Sequence, residues 1–211
     1  LHVTANAYNE LANSYEKRWG KYLSHTYQKM AASLELKGAV RVCDISCGTG
    51  LFAHQLIKKY PELELLQLND ISTKMISYAK TRFSKDEHVL FSKLPAHKID
   101  DIDSRFDALI SLNAFHNYDK QKAVVNASYN ALIPGGKVYI LDWNRAGLFK
   151  LINFFIGSSV KEGIDTRSLL EMEKLLKKAN FDVVNTVEEA KTLYNKIISE
   201  GNNLSNGKTE Q

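Results

Sequence analysis

Two acidic residues and a pair of glycines stand at spacings that suit a ligand site. In the stretch RVCDISCGTGLF, residues 41–52, Asp44 lies inside an apolar run and comes four residues before Gly48. Gly48 and Gly50 form a turn whose bare backbone N–H groups can approach a ligand, because a Cβ would block the approach or forbid the dihedral angles. Asp70 follows Gly50 by 20 residues and can accept hydrogen bonds from both hydroxyls of a ribose. Together these residues predict a site for an adenosine-bearing cofactor.

The glycine turn by itself does not distinguish between two kinds of cofactor. The run GTGLFA, residues 48–53, satisfies the G-x-G-x-x-G/A fingerprint of dinucleotide sites, so an NAD(P) site stays open on this motif. A dinucleotide, however, places a negative pyrophosphate over the turn, where the carboxylate of Asp44 would repel it. S-adenosylmethionine presents a positive ammonium and sulfonium there, and in a partly desolvated cleft the sign of the charge is worth several kcal/mol. Asp44 therefore favours S-adenosylmethionine; an aspartate that only caps the loop backbone is the alternative.

Apolar runs bounded by turn residues predict strands, and helical periodicity predicts helices between them. The predicted strands cover residues 40–45, 62–70, 88–94, 105–115, 137–143, 181–187 and 192–199. The predicted helices cover residues 52–60, 72–83, 119–132 and 166–180. Residues 192–199 are also compatible with a helix. The alternation predicts an α/β, doubly wound, Rossmann-like fold whose first five strands are parallel, with ligands bound beyond the carboxyl ends of the strands.

Local signals place the ends of several of these elements. Ser72 and Thr166 are the expected N-caps of the helices that follow them. The sequence Ile-Pro-Gly-Gly at 133–136 predicts a turn that stops the preceding helix. Before the first strand, residues 7–36 predict one or two helices with an apolar-aromatic face. That face is expected to carry Tyr8, Leu11, Tyr15 and Trp19.

Composition argues against several classes of protein. The chain has 211 residues, enough for one domain with a real core, and 28 basic against 24 acidic residues leave a net charge of +4. That excess is too small to predict a nucleic-acid partner. Cys43 and Cys47 are the only cysteines, which predicts neither a disulfide framework nor a metal site and favours the cytoplasm. The apolar run at 148–157 is too short to span a membrane, and no signal peptide is expected.

Four segments, taken in order, resemble the class I S-adenosylmethionine-dependent methyltransferases. They are VCDISCGTG (42–50), LNDISTKM (68–75), RFDALISLNAFHNY (105–118) and LIPGGKVYILDW (132–143). The chain is most similar to the small-molecule branch that includes enzymes of ubiquinone and menaquinone biosynthesis. The resemblance implies a seven-stranded sheet ordered 3-2-1-4-5-7-6 with the last strand antiparallel. It also implies an N-terminal helical lid at 1–38 and a cofactor-binding domain at 39–200. The remaining residues, 201–211, are expected to form a polar, disordered tail.

The resemblance also implies roles for individual residues around S-adenosylmethionine. The methionine portion would be lined by Asp44, Ser46, Cys47, Gly48 and Gly50. The ribose would be held by Asp70, the adenine face covered by Ile71 and Met75, and the sulfonium and methyl bordered by Leu112. Tyr15 and Tyr8 match aromatic positions of the lid, with Tyr15 toward the cofactor and Tyr8 toward the acceptor.

One position departs from the family pattern. Where the family has Gly-Asp-Ala, with the Asp accepting from the adenine amino group, this chain reads Leu94-Pro95-Ala96. Proline supplies neither an acceptor side chain nor an N–H. Either backbone groups near Pro95 and Ala96 hold the adenine, or the cofactor binds more weakly by roughly 1.5–3 kcal/mol.

Methyl transfer from a sulfonium is an in-line displacement that depends mainly on alignment, so a catalytic base is optional. His116 is the expected base if there is one, and a histidine that only shapes the pocket is the alternative. The acceptor, a small and partly apolar molecule, is expected to contact Asn113, Asp142 and Asn144. Apolar cover is expected from Phe149, Phe154 and Phe155.

Two other functions stay open on the sequence. A small NAD(P)-dependent oxidoreductase is suggested by Tyr118-x-x-x-Lys122, although that motif stands too early in the chain for a short-chain dehydrogenase. A non-catalytic partner subunit is suggested only by Pro95. The sequence does not indicate which acceptor is methylated, whether at O, N or C, or the oligomeric state.

Overall fold

The computed structural model describes residues 2–37, 40–143, 165–188 and 194–201. Within these ranges the helices are α1 (His2–Leu11), α2 (Tyr15–Ser33), α3 (Leu51–Lys59), α4 (Thr73–Arg82), α5 (Gln121–Ala131) and α6 (Leu169–Lys178). The strands are β1 (Arg41–Asp44), β2 (Leu65–Asn69), β3 (Val89–Ser92), β4 (Phe106–Leu112), β5 (Leu132–Trp143), β6 (Phe181–Glu188) and β7 (Tyr194–Gly201). Short 3₁₀ helices follow β3 (Ala96–Asp101) and β4 (Phe115–Asn117).

The strands form one sheet in the order β3-β2-β1-β4-β5-β7-β6. β1 to β5 run parallel, whereas β7 runs antiparallel to both β5 and β6. The predicted α/β fold with a parallel sheet is confirmed, and the helical alternative is wrong for the described part of that segment, residues 194–199. The strand order reverses between β1 and β4, so the carboxyl ends of β1, β2 and β4 open on one crevice.

Helices cover both faces of this sheet. Met30 of α2 and Phe52 of α3 are buried in a cluster on one face, and Val124 of α5 and Leu176 of α6 are buried in a cluster on the other. Because a parallel strand is covered on both sides, apolar residues follow one another along it without alternation. Val42 and the strand residues around it are therefore buried whichever face they point to.

The inward face of α2 differs from the prediction. Trp19, expected on the apolar face, is 38% exposed. The buried side chains of this helix lie further along, at Leu23, Tyr27 and Met30, and the row continues to Leu34 after the helix ends. Their spacing of three and four residues gives a continuous stripe against the sheet, and Tyr15 also packs against this cluster. The predicted periodicity is right, and the assignment of Trp19 to the buried face is wrong.

One predicted element end holds and two need correction. Ser72 is the N-cap of α4, where its Oγ accepts from the N–H of Met75 at 3.2 Å. Thr166 is not the cap of α6, because Ser168 caps that helix in a reciprocal capping box with Glu171. The segment Ile-Pro-Gly-Gly at 133–136 does not form a turn ahead of β5. That strand begins at Leu132 and includes the segment as a bulge.

No helix among the described residues is long and apolar enough to cross a membrane. Both cysteines are free and buried, and the cytoplasmic location stays a prediction. Several expected features lie outside the described residues, namely Asn144, Phe149, Phe154, Phe155 and the tail beyond Gly201.

Candidate active site

A cavity that opens to solvent, of about 810 Å³ with the open space included, lies where the crevice was expected, beyond the carboxyl ends of β1, β2 and β4. The predicted site residues on its wall are Tyr8, Tyr15, Ser46, Gly48, Asp70, Ile71, Met75, Pro95, Ala96, Leu112 and Asn113. The structure does not place Asp44, Cys47, Gly50, His116 or Asp142 on this wall. Wall residues that sequence reasoning missed include His97, Asn117 and Lys120.

Asp44 ends β1 and lies behind the first loop. Its side chain is buried, and its Oδ1 accepts from the backbone N–H of Ser46 at 3.3 Å. Burial raises the pKa of Asp44 from 3.8 to about 7; the Ser46 N–H opposes this rise, and the nearby charge of Asp70 adds to it. A buried carboxylate in this state gains stability from a positive neighbour.

Asp70 follows β2 and holds two loops together. Its Oδ2 accepts from the N–H of Gly48 at 2.9 Å, and its Oδ1 accepts from the N–H of Ser72 at 2.8 Å. Burial raises the pKa of Asp70 to about 6, although both N–H groups lower it. Each carboxylate oxygen has a second lone pair, so Asp70 can still accept from a ligand hydroxyl. Among the described Lys, Arg and His side chains, none forms an ion pair with Asp44 or Asp70.

The two glycines of the first turn serve different purposes. Both have a left-handed backbone, with φ of 55° at Gly48 and 78° at Gly50. A Cβ at Gly50 would lie 2.8 Å from Cε2 of Phe83, so this glycine lets the turn pack against the end of α4. A Cβ at Gly48 would meet nothing within 4 Å, and Gly48 lines the cavity. Gly48 therefore leaves space that a ligand can fill.

Asn69, which sequence reasoning missed, fixes the segment that departs from the family pattern. Its Oδ1 accepts from the N–H of Leu94 at 2.9 Å, and its Nδ2 donates to the carbonyls of Leu94 and Ile45, each at 2.9 Å. The buried amide thereby holds the chain just before Pro95, and Pro95 starts the 3₁₀ helix on the cavity wall. Only its position at the end of a predicted strand hinted at this role.

The N-terminal helices close over the cavity from two sides. Asn9 of α1 accepts through Oδ1 from the Oγ of Ser72 at 2.7 Å and from the N–H of Lys74 at 3.0 Å. On the other side, Asn117 donates to the hydroxyl of Tyr8 at 3.0 Å. α1 thus connects the start of α4 with the segment after β4.

Two tyrosine rings from these helices face the cavity. Tyr8 and Tyr15 are in edge contact, with ring centroids 6.3 Å apart. Burial raises the pKa of both phenols, that of Tyr15 to about 12. Both rings are therefore neutral at ordinary pH and offer aromatic surface together with hydroxyl groups.

Asn113 attaches α2 to the floor of the cavity. It follows β4 in a left-handed conformation with φ of 55°. Its Oδ1 accepts from the hydroxyl of Tyr22 at 3.0 Å, and its Nδ2 donates to the Oγ1 of Thr26 at 2.9 Å. The predicted substrate residue therefore also anchors the helix above it.

His116 and Asp142 form a buried pair. Asp142 accepts through Oδ2 from the backbone N–H of His116 at 2.8 Å, and its Oδ1 lies 2.6 Å from the ring Nδ1. The His116 ring also stacks on Trp143, at 4.5 Å between centroids and 6° between planes. Both residues line a second cavity of about 260 Å³ and not the larger one. Asp142 thus orients His116 and leaves Nε2 as the basic atom of the ring.

Tyr118 is a further wall residue whose role was not predicted. Its hydroxyl lies 2.8 Å from Oγ of Ser46 and 3.2 Å from Oγ of Ser111. It therefore connects the loop after β1 with the end of β4. The sequence marked Tyr118 only through its Tyr-x-x-x-Lys spacing, which is unrelated to these contacts.

Residues 43–138 match the family model described as a methyltransferase domain. Over this range the chain is similar to methyltransferases. Among related proteins, "Putative methyltransferase YqeM" of Bacillus subtilis is 30% identical over 74% of this chain and 59% of its own length. The demethylmenaquinone methyltransferase of Thermotoga maritima is 31% identical over 48% of this chain and 43% of its own. The chain thus spans about half the length of the curated relatives it matches.

A solved methyltransferase structure shows the same fold. Human N-acetylserotonin methyltransferase in complex with S-adenosylmethionine has a TM-score of 0.72 with this chain. The match covers 94% of this chain and 56% of that one, at 18% identity.

Proposed function

We propose that this chain transfers a methyl group from S-adenosylmethionine to a small acceptor molecule by in-line displacement. The observation that carries the proposal is the pair of buried carboxylates, Asp44 and Asp70, at the first loop, with no cationic partner among the described side chains. Burial raises the pKa of both carboxyls and so disfavours their ionised forms, which a positive ligand would stabilise. S-adenosylmethionine carries its ammonium and sulfonium charges on one end and supplies an electrophilic methyl group.

The residues present fit the rest of that cofactor. Asp70 has lone pairs available for both ribose hydroxyls, and Gly48 leaves room beside it. The apolar side chains of Ile71, Met75 and Leu112 line the same cavity, where they can cover the adenine and the transferred methyl. At the far end of the adenine, backbone groups at Ala96 take the place of the family's carboxylate.

The acceptor side of the cavity is formed by lid and loop residues. Tyr8, Asn113 and Asn117 bring a hydroxyl and two amides to a wall that is otherwise largely aromatic or aliphatic. These groups suit a small, partly apolar acceptor. Residues 1–38 act as the lid, because α1 and α2 cover the opening, and the complete seven-stranded order belongs to the class I arrangement.

Alignment supplies most of the rate of such a displacement, about 7–11 kcal/mol, while a base adds about 10²–10⁴-fold. Asp142 holds His116 in the tautomer in which Nε2 can accept a proton. We therefore assign His116 the role of base for an acceptor that must lose a proton. His116 lines the second cavity and not the main wall, so this role requires the acceptor to extend beyond the main cavity.

The two alternative functions find less support. A pyrophosphate over the first turn would face Asp70 on the cavity wall, with Asp44 buried behind the loop, and like charges cost free energy in a buried crevice. Tyr118, the tyrosine of the dehydrogenase-like spacing, has its pKa raised by burial, which opposes the proton transfer expected of such a residue. For a non-catalytic subunit the only support is still the proline at Pro95.

Thermal shift with four ligands tests this function. S-adenosylmethionine and S-adenosylhomocysteine are expected to raise the melting temperature, whereas NADH and NADPH leave it unchanged. Stabilisation by NADH alone would overturn the proposal in favour of an oxidoreductase, and no stabilisation by any ligand would favour a non-catalytic subunit. Incubation with quinols, phenols and small amines, read by release of S-adenosylhomocysteine, then identifies the acceptor class.

A further inference from the structure

We propose that Tyr118 is a positioning residue for the methionine end of the cofactor. Its phenol braces Ser46, and Ser46 in turn orients the carboxylate of Asp44. This inference rests on the proposed function, and its test separates the two. Tyr118 itself need not touch the reacting atoms.

Tyr118 reaches Ser46 and Ser111 from a third segment of chain. Ser46 stands in the loop after β1, Ser111 lies in β4, and Tyr118 follows the 3₁₀ helix after β4. Its ring is packed edge-on against Phe115 at 5.5 Å, and its N–H donates to the carbonyl of Phe115 at 3.1 Å. The phenol is therefore held in place from its own backbone and by its ring, so it can serve as a fixed support.

The phenol has one proton and two serine partners. It can donate to one serine and accept from the other, so both contacts, at 2.8 Å to Ser46 and 3.2 Å to Ser111, can be hydrogen bonds at the same time. Burial raises the pKa of Tyr118, and the nearby charge of Asp44 raises it further. The group thus stays a neutral phenol that holds its neighbours, which is the opposite of a proton-transfer tyrosine.

The support reaches Asp44 through the backbone of Ser46. The N–H of Ser46 donates to Oδ1 of Asp44 at 3.3 Å, a long hydrogen bond that depends on how Ser46 is held. From the β2 side, the loop is fixed at the next two residues, where Cys47 donates to Asn69 and Gly48 donates to Asp70, both at 2.9 Å. The contact between Tyr118 and Ser46 provides the matching support from the β4 side.

The hydrogen bonds of Tyr118 therefore reach the amino-acid end of the cofactor site and not the end that holds the ribose and adenine. Asp70, Pro95 and Ala96 serve the ribose and adenine, whereas the hydroxyl of Tyr118 bonds to Ser46 and Ser111. Ser46 and Asp44 serve the amino-acid end. Removing the phenol hydroxyl should weaken only those ligands that carry the amino-acid group.

The test compares two ligands on the variant Tyr118→Phe. S-adenosylhomocysteine has the amino-acid group, whereas 5′-methylthioadenosine keeps the adenine and ribose but lacks it. By isothermal titration, the variant is expected to bind S-adenosylhomocysteine about 3- to 10-fold more weakly, the effect of one neutral hydrogen bond. Its affinity for 5′-methylthioadenosine should stay within about twofold of the wild type, because no hydrogen bond to that ligand's site is lost.

Tyr60→Phe is the matched control, because it removes another buried phenol hydrogen bond, the one to the carbonyl of Leu34 at 2.6 Å, far from the cavity wall. It should lower stability without changing the ratio of the two affinities. Ser111→Ala gives a second, milder variant that keeps the contact between Tyr118 and Ser46, and it should weaken S-adenosylhomocysteine less than Tyr118→Phe does.

An equal loss for both ligands, or no loss for either, would overturn the positioning role. If the wild type binds neither S-adenosylhomocysteine nor S-adenosylmethionine, the proposed function itself fails, which is a different result from an unchanged ratio in the variant.

Discussion

The carboxylate of Asp70 accepts a hydrogen bond at 2.9 Å from the backbone N–H of Gly48, so the acid at the end of β2 holds the glycine turn that follows β1. The two features that marked the site in the sequence are therefore in direct contact. Asp70 also accepts from the N–H of Ser72, which fixes the start of α4. One side chain thus shapes the turn, starts a helix and faces the cavity.

Replacement of this acid should remove most cofactor affinity. Asp70→Ala deletes the proposed ribose acceptor and frees the turn at Gly48. With about 1.5–3 kcal/mol for each hydrogen bond to a charged group, the loss should be at least about tenfold and reach a hundredfold or more. Isothermal titration with S-adenosylmethionine measures it. Asp86→Ala, at an exposed acid, is the control, and unchanged affinity in Asp70→Ala would refute the ribose assignment.

The two glycines of the turn should respond differently to alanine. Gly50→Ala brings a Cβ to 2.8 Å from Phe83 in a left-handed backbone, so it should lower the free energy of unfolding by about 2–4 kcal/mol. The Cβ added by Gly48→Ala would meet no atom within 4 Å. This variant should therefore lower the free energy of unfolding only by the backbone contribution of about 1–2 kcal/mol. Urea unfolding measures both.

For cofactor affinity, in contrast to stability, Gly48→Ala should have the larger effect of the two variants. The added Cβ at Gly48 lies beside the cavity, so Gly48→Ala should weaken S-adenosylmethionine although it folds better. If Gly48→Ala bound S-adenosylmethionine as tightly as the wild type, the ligand would not approach this turn.

The ionised carboxylate of Asp44 is expected to destabilise the folded protein when no positive ligand is bound. Its pKa is raised from 3.8 to about 7, so between these values the folded state keeps a proton that the unfolded state has released. Stability from this group is fully present below about pH 4 and falls as the pH rises through about 7. Asp44→Asn should therefore be more stable than the wild type at about pH 8, by about 1.4 kcal/mol per unit of pKa shift, and similar at low pH.

Urea unfolding of Asp44→Asn at both pH values checks this expectation, and isothermal titration should show weaker S-adenosylmethionine binding in the same variant. If Asp44→Asn were less stable than the wild type at the higher pH, the ionised carboxylate of Asp44 would have to be stabilised by groups of the protein itself.

Cofactor affinity should rise with pH in the range where the two acids ionise. The pKa of Asp70 is raised to about 6 and that of Asp44 to about 7, and a positive ligand favours the ionised carboxylates. The dissociation constant for S-adenosylmethionine should therefore increase by up to about tenfold per unit as the pH falls below about 7. Titration calorimetry across this range measures the slope.

Two variants provide controls for this slope. Asp44→Asn should flatten the upper part of the profile, and His88→Gln, at an exposed histidine that does not line the cavity, should leave the profile as it is. A profile that is flat in the wild type would contradict the charge argument.

Much of the site could be predicted because its signals are local. Gly48, Gly50 and Asp70 stand at strand ends, and parallel strands bring their carboxyl ends together without further information. Ser72 capped its helix as predicted. For α6, the correct signal was also present, since Ser168 and Glu171 have the spacing of a capping box, whereas Thr166 has only a suitable hydroxyl.

The remainder depends on contacts between distant segments, which periodicity does not encode. Asn9 reaches Ser72, and Tyr118 reaches Ser46, across more than 60 residues of chain. Asn69 reads as an ordinary strand residue in the sequence, and its side-chain hydrogen bonds to Leu94 and Ile45 are seen only in the structure. Trp19 was assigned to the buried face because of its spacing from Tyr15, but the fully buried side chains of α2 begin at Leu23. The roles assigned to individual site residues stay predictions.

The last prediction concerns His116 and Asp142. Asp142 binds both the backbone and the ring of His116, so His116→Asn should affect proton transfer and leave the cofactor cavity intact. Turnover on the acceptor found by the screen is expected to fall by about 10²–10⁴-fold, while affinity for S-adenosylmethionine stays within about twofold. Asp142→Asn should lower turnover in the same direction, because the ring loses the partner that sets its tautomer. Unchanged turnover in His116→Asn, with a melting temperature close to the wild type, would mean that alignment alone drives the reaction and that His116 only shapes the second cavity.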